Sequence, residues 1–203
     1  MKLLYGTSNQ AKLNSMREHL KDLDIDIIGI NDLDYNWPEI DESGNDPLEN
    51  ARIKAIAYYN ISGLPVFSCD SGLYIEGLED SRQPGVHVRN INGRRLSDQE
   101  MVDYYSSIAE SLGGRCIAQY KNAICLIKSE YEIYEYKEDD ISGERFELVT
   151  IPHEKVEVGF PLDRLSVHII SREYYYNLKD NEATSKIKRG FQEFFKRTMN
   201  HTN

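Results

Sequence analysis

The chain has 203 residues, 40% of them hydrophobic, which is enough to bury a core in one or two domains. Its 34 Asp and Glu residues outnumber its 24 Lys and Arg residues, and the formal charge of -10 disfavours binding to polymeric nucleic acid or to an anionic membrane. An anionic ligand would therefore need local cations, a helix N-terminus or a divalent metal ion.

The cysteines and the N-terminus indicate the compartment. Cys69, Cys116 and Cys125 form no CxxC pair and are odd in number, which argues against a disulfide framework and a zinc site. The first ten residues are too polar for a signal peptide, and no segment reaches the roughly 18 apolar residues of a membrane span. We expect a cytoplasmic protein with no membrane partner.

The first half of the chain predicts alternating strands and helices. Residues 2–5 predict a strand, and a helix should follow because four apolar residues recur at helical spacing. These residues are Leu13, Met16, Leu20 and Leu23. Residues 25–30 predict a second strand, followed by an acidic loop over 34–46. Asp46, Pro47 and Glu49 then form an N-terminal capping sequence for a helix that reaches about Tyr59.

The second half predicts mainly strands. Residues 65–69 form the next one, and the capping box SDQE opens a helix that Gly113 and Gly114 end. Residues 116–128, 130–137 and 144–151 read as β segments, with EDDISGE as a hairpin connection, and a final helix covers 184–196. Without repeats or linkers, we expect one domain over 1–203 with two lobes that share a sheet.

Three short motifs each have a structural and a functional interpretation. Asp70-Ser71-Gly72 follows a strand and is typical of a turn. In GTSNQAK, Thr7, Asn9 and Lys12 could cradle an anion at a helix start, or Ser8 or Asn9 could simply cap the helix. This loop has neither the Walker pattern GxxxxGK[ST] nor GxGxxG.

The third motif, ESGNDPLENARIKA, places two charges around one loop. Glu42 lies in the loop, and Asn50 and Lys54 share one face of the helix that follows. The simpler interpretation is a capping box with a surface lysine. No single motif decides between the two interpretations.

Taken together, the motifs resemble the inosine triphosphate pyrophosphatase family. The pattern runs from TSNxxK through ESG, ENAxxKA, GLPV and DSGL to PGV within the first ninety residues, in order and at the family's spacing. GFPLD at 159–163 is similar to the family's GFG[YW]D, and Lys188-Arg189-Gly190 stands where the family has His-Arg-Gly.

This resemblance implies a fold, a reaction and a set of site residues. The fold would be α/β: an elongated mixed central sheet with flanking helices, in two lobes around a nucleotide-binding cleft, assembled as a homodimer. The reaction would be hydrolysis of non-standard purine nucleoside triphosphates, such as inosine or xanthosine triphosphate, to the monophosphate and pyrophosphate. Glu42 and Asp70 would hold Mg²⁺, with Mn²⁺ as an alternative, and activate the attacking water.

The resemblance also assigns the substrate contacts. The triphosphate would be bound by Thr7, Asn9, Lys12, Lys54 and Ser71. The base would be bound by Phe160, Asp163, Lys188 and Arg189. From the residues alone, Phe160 could equally be a core aromatic and Arg189 a solvated surface residue.

Departures from the family pattern cluster in the base-binding half. Cys69 replaces one of two adjacent acidic residues, which spares Asp70. The other departures all lie at base-recognition positions: Asn90, Leu162, Arg164, Ala183, Ile187 and Lys188. A nucleotide-binding sensor or scaffold with little or no turnover is therefore the alternative function. The retained Glu42 and Asp70 favour the enzyme, because a binder needs no base for an attacking water.

Overall fold

The computed structural model describes residues 1–178 and 182–199, without the side chains of 182–185. The α-helices of this part are α1 (Gln10–Leu20), α2 (Pro47–Ser62), α3 (Asp98–Ser111) and α4 (Glu182–Met199). Its strands are β1 (Lys2–Tyr5), β2 (Asp26–Gly29), β3 (Val66–Ile75), β4 (Asn90–Ile91), β5 (Arg94–Arg95), β6 (Arg115–Ser129), β7 (Glu132–Tyr136), β8 (Arg145–Val149) and β9 (Ser166–Val167).

Seven strands form one mixed sheet in the order β2-β1-β3-β6-β8-β9, with β7 also paired to β6. β1 runs parallel to β2 and β3, and the remaining pairs are antiparallel. The separate β4–β5 ribbon precedes α3. The predicted mixed α/β class is confirmed, because parallel β1–β3 pairing requires a helical crossover, which α2 supplies.

The capping residues predicted for the helices occupy their expected positions. Asn9 caps α1, since its Oδ1 accepts the backbone N–H groups of Ala11 and Lys12. Asp46 caps α2, and Gly63 ends it at a φ of 64°, which a residue with a Cβ adopts only at a cost. Ser97 and Glu100 form the reciprocal capping box of α3. The Asn9 cap of α1 is compatible with both interpretations of the first loop, as an anion-binding loop and as a simple helix start.

Two turn predictions are wrong, and in both cases strand pairing with distant residues is the reason. β3 runs through Asp70-Ser71-Gly72 to Ile75 and pairs with β6 throughout, so this motif lies inside a strand. The segment EDDISGE is not a hairpin connection. β7 pairs with the C-terminal half of β6 and β8 with its N-terminal half, and the 3₁₀ turn Asp139–Ile141 lies between them. Long-range pairing with one long strand overrides the local turn propensity.

Three apolar clusters stabilise the fold, and β3 contributes to all of them. Phe67 packs with Phe195 and the α1 side, while Leu73 packs with Tyr105 and the α3 side. Val66 lies in the third cluster, against α2. Asp70 lies on β3 between the residues that belong to the α1 and α3 clusters, which places a carboxylate between two apolar cores. Among the helices of the described chain, none is long and apolar enough to cross a membrane.

Candidate active site

The candidate site lies along one edge of β3. On this edge β1 pairs with β3 only at Val66 and Phe67, and Gly85 bridges Leu73 through two backbone hydrogen bonds of 2.9 and 3.0 Å. Within the part of the chain that the structure describes, residues 68–72 have no strand partner on this edge. An opening in a sheet beyond the carboxyl end of a parallel strand is a common place for a ligand.

The loop after β1 reaches this opening. The Gly6 N–H donates to the Phe67 carbonyl at 2.8 Å, and the Ser68 hydroxyl donates to the Gly6 carbonyl at 3.1 Å. A Cβ on Gly6 would lie 2.3 Å from Ser68 Oγ, so only glycine lets the loop lie this close to β3. The loop that carries Thr7 and Asn9 is thereby fixed beside the strand that carries Asp70.

Asp70 is buried, with 5% of its surface exposed, and both of its carboxylate oxygens have partners. Oδ1 accepts a hydrogen bond from Lys54 Nζ at 2.8 Å, and Oδ2 accepts one from Asn50 Nδ2 at 3.1 Å. Both partners project from α2, at the helical spacing i, i+4. A buried carboxylate needs such partners, because an unpaired charge away from water is costly.

Glu42 approaches the same lysine from the acidic loop. Its Oε2 lies 3.3 Å from Lys54 Nζ, and the Glu42 side chain is 50% exposed whereas that of Lys54 is 9% exposed. Burial opposes the charged form of Lys54, but the carboxylates of Asp70 and Glu42 more than offset this, so the pKa of Lys54 lies above its usual value. Lys54 is therefore an ammonium held between two carboxylates, one buried and one facing solvent.

The two carboxylates fit a divalent metal only in part. Among the described residues, no group of three or more His, Cys, Asp or Glu side chains is placed to hold a metal ion. Glu42 and Asp70 are hard oxygen donors on either side of the Lys54 ammonium. Mg²⁺ is commonly bound through one or two carboxylates and takes its remaining ligands from phosphate and water. The residues thus fit a metal ion that arrives with a phosphate ligand.

The first loop supplies a helix N-terminus and a lysine. Thr7 Oγ1 accepts the Asn9 N–H at 3.2 Å, which holds the loop in a tight turn before α1. Burial lowers the pKa of Lys12, against the pull of the Asp70 carboxylate, and the Lys54 ammonium lowers it further. Within the described residues, Lys12 Nζ makes no ion pair or hydrogen bond, so this cation is available to an anionic ligand.

Strand alternation separates neighbouring residues of the DSG motif. Ser71 is paired with Asn122 of β6, and its side chain points to the opposite face of the sheet from that of Asp70. Cys69 shares the Ser71 face, and burial raises the pKa of its thiol to about 12, so it remains a neutral thiol. Cys69 stands where the family pattern has an acidic residue, so this site has one negative charge fewer than the pattern implies.

The base segment contacts the phosphate loop. A Cβ on Gly159 would lie 3.1 Å from the Ala11 Cβ and 3.4 Å from Asn9 Oδ1, and the φ of 93° also favours glycine. Asp163 is partly buried, and desolvation together with the nearby Glu157 raises its pKa to about 6. Phe160, partly buried, precedes the 3₁₀ helix Pro161–Leu165. Leu162, in contrast, is a core residue with 2% exposure.

The structure does not bring Lys188 together with this segment. Lys188 Nζ lies 2.6 Å from Asp22 Oδ2, just past the C-terminal end of α1. Asn9 lies at the other end of the same helix, whose eleven residues span about 16 Å at 1.5 Å each. Arg189 is exposed on α4, and its predicted base contact remains a prediction. Gly190 is buried against the Asp140 carbonyl oxygen, from which an added Cβ would lie only 2.2 Å, so this contact favours glycine.

Asn50 is the residue of this site to which the sequence alone assigned no role. Its position one helical turn before Lys54 was the available signal, because the two side chains share a face of α2. The structure shows that this face points at Asp70.

Comparison with known proteins is consistent with this geometry. The model of the Ham1 family matches residues 3–164. A protein of Symbiobacterium thermophilum named dITP/XTP pyrophosphatase is 34% identical over 62% of this chain and 61% of its own length. One of the same name from Vibrio cholerae is 35% identical over 50% of this chain and 49% of its own length. The matches thus span about half to three fifths of the length of these curated relatives.

Solved structures are similar over nearly the whole chain. A HAM1 protein from Coxiella burnetii has a TM-score of 0.74 at 26% identity and covers 100% of this chain and 98% of its own. The Staphylococcus aureus Ham1 protein has a TM-score of 0.69 at 20% identity, with 97% and 99% covered, a likeness that concerns the fold alone. The predicted fold class is thereby confirmed.

Proposed function

Because the chain belongs to the Ham1 family, we propose that it hydrolyses non-standard purine nucleoside triphosphates, such as inosine or xanthosine triphosphate, to the monophosphate and pyrophosphate. The observation that carries the proposal is the convergence of Asp70, Lys54 and Glu42 beside an open strand edge. This edge lies next to a helix N-terminus whose Lys12 has no ion pair among the described residues.

The chemistry follows from these groups. Asp70 accepts a proton from a water molecule as that water attacks the α-phosphorus, so a new P–O bond forms while the bridging α–β P–O bond breaks. Lys54 and Lys12, together with the positive end of the α1 helix dipole, offset the charge that develops on the departing pyrophosphate. A divalent cation held by Glu42, Asp70 and the phosphates would supply further neutralisation of the triphosphate.

The remaining assignments of the proposal concern substrate contacts and assembly. Thr7, Asn9 and Ser71 bind phosphate, and Phe160, Asp163 and Arg189 bind the base, as the family resemblance implies. Mg²⁺ or Mn²⁺ is the metal, the chain forms one two-lobed domain, and the protein is a cytoplasmic homodimer. Light scattering in solution tests the assembly independently of activity.

One assay tests the function. Pyrophosphate release is measured from inosine, xanthosine, adenosine and guanosine triphosphates with Mg²⁺, with Mn²⁺ and with excess chelator. We expect metal-dependent release, and loss of it in Glu42→Gln, whose control is Glu39→Gln in the same acidic loop. Calorimetric binding of the same nucleotides without any pyrophosphate release would instead support a sensor or scaffold.

A further inference from the structure

Asn50 joins the two parts of the site that carry the carboxylates. Its side chain is buried, with 1% exposure, and both ends of its amide are used. Oδ1 accepts the backbone N–H of Gly44 at 2.8 Å, and Nδ2 donates to Asp70 Oδ2 at 3.1 Å. Gly44 lies two residues after Glu42, so one amide connects the Glu42 loop to the Asp70 strand.

The loop lies so close to this amide that its glycine has no room for a side chain. A Cβ on Gly44 would lie 2.6 Å from Asn50 Oδ1 and 3.0 Å from the Asn50 backbone nitrogen. Gly44 is itself buried, and its φ does not demand glycine, so the steric contact with Asn50 accounts for the residue. The position of the loop is therefore set by the Asn50 amide.

The chemistry of the two partners selects an amide. The Gly44 N–H requires an acceptor and the Asp70 carboxylate requires a donor, and a primary amide offers both on one carbon atom. Its donor occupies Oδ2 of Asp70, which leaves Oδ1 turned towards Lys54. Rotation of the carboxylate would break both hydrogen bonds at once.

From these contacts we infer that Asn50 is a positioning residue, which fixes the Asp70 carboxylate relative to the loop that carries Glu42. The inference rests on the proposed function, because it concerns the geometry of the water-activating carboxylate. Asn50 contacts no reacting atom. Its effect on turnover passes through Asp70, as expected for the supporting residues of a preorganised site.

Asn50→Asp separates the two contacts. An aspartate at position 50 has the same shape and still accepts the Gly44 N–H, but when ionised it offers no donor to Asp70 and places a second carboxylate about 3 Å from it. We expect turnover at pH 8 to fall by about tenfold or more with little change in KM for the nucleotide.

The matched control is Asn60→Asp, which makes the same chemical change at an exposed position of α2. Its turnover at pH 8 should match that of the native chain. Gly44→Ala tests the contact from the loop side without altering α2. We expect its turnover per folded molecule to fall below that of the native chain.

The outcomes separate the inference from the proposed function. If the native chain releases no pyrophosphate from any nucleotide, the proposed function fails and the inference falls with it. If the native chain is active and Asn50→Asp matches its turnover, or if both Asn50→Asp and Gly44→Ala lose activity only in proportion to lost folded protein, Asn50 is a structural residue and the inference alone is overturned. Circular dichroism on each assay sample supplies the folded fraction.

Discussion

Lys54 Nζ and Asp70 Oδ1 lie 2.8 Å apart, and their side chains are 9% and 7% exposed. A buried ion pair of this kind contributes little net stability, but removal of one partner costs about 3–5 kcal/mol because the other charge is left uncompensated. Glu42 moderates that cost here, since it provides Lys54 with a second, solvent-facing carboxylate at 3.3 Å. The pair therefore links the chemistry of the site to the stability of the fold.

Asp70→Asn should abolish most of the activity. The change removes the proton acceptor and a negative charge while keeping the shape of the side chain, so we expect pyrophosphate release to fall by about a hundredfold or more. The melting temperature should also fall, because Lys54 keeps only Glu42 as its partner. Both quantities are measured on one preparation, with activity assayed well below the melting transition.

The stability change does not by itself decide the role of Asp70. If Asp70→Asn keeps activity within about threefold of the native chain while its melting temperature drops, Asp70 serves only as the partner of a buried lysine. A turn-forming role is already wrong, because Asp70 lies inside β3.

Base discrimination should be weaker than the family resemblance implies. The family pattern has an aromatic residue where this chain has Leu162, which has no ring and is buried in the core. Only Phe160 therefore remains as a predicted stacking surface for the base. We expect kcat/KM for inosine triphosphate to exceed that for ATP and GTP by a small factor only. Competition assays with mixed nucleotides measure this ratio, and a sharp preference for inosine triphosphate over both ATP and GTP would contradict the prediction.

Local sequence signals correctly predicted the start of the fold and the helix caps. Strand β1, the Asn9 and Asp46 caps, and the box at Ser97 and Glu100 all depend on residues close in sequence, whose preferences act locally. The continuation of β3 through Asp70 depends instead on pairing with β6, more than forty residues away in sequence, which no local pattern reveals.

The same distinction applies to the site. Lys54 and Asp70 could be nominated from their order in the chain, and the structure brings them together. The bond from Asn50 to Asp70 and the pairing of Lys188 with Asp22 both depend on how separate elements pack, so the sequence alone assigned no role to the first residue and a base contact to the second.

Asp163→Asn should change how stability depends on pH. The pKa of Asp163 is raised to about 6 in the fold, above the value of about 3.9 that an unfolded chain has, because burial disfavours the carboxylate. The ionisation of Asp163 therefore lowers the free energy of unfolding of the native chain progressively as the pH rises from about 4 through 6. Asparagine does not ionise, so the variant does not lose this stability. Urea unfolding at pH 4.5 and pH 8 should show the variant gaining about 1–3 kcal/mol relative to the native chain at the higher pH.

The control for this measurement is Asp103→Asn, an exposed aspartate on α3. Its stability difference from the native chain should be the same at both pH values. A constant difference for Asp163→Asn would show that its carboxyl titrates normally in the fold.

Lys54→Met should change metal binding in the absence of nucleotide. In the native chain the Lys54 ammonium lies against both Glu42 and Asp70, so a cation must compete with it, and we expect weak binding until the phosphates draw Lys54 away. Methionine keeps much of the side-chain volume but leaves the two carboxylates without their cation, so calorimetric affinity for Mn²⁺ alone should rise by about tenfold or more. Turnover should nevertheless fall, because the same lysine is needed on the phosphates. Lys21→Met, which removes an exposed lysine paired with Glu18, should leave both measurements unchanged. If Lys54→Met binds Mn²⁺ no more tightly than Lys21→Met does, the two carboxylates do not form the cation site.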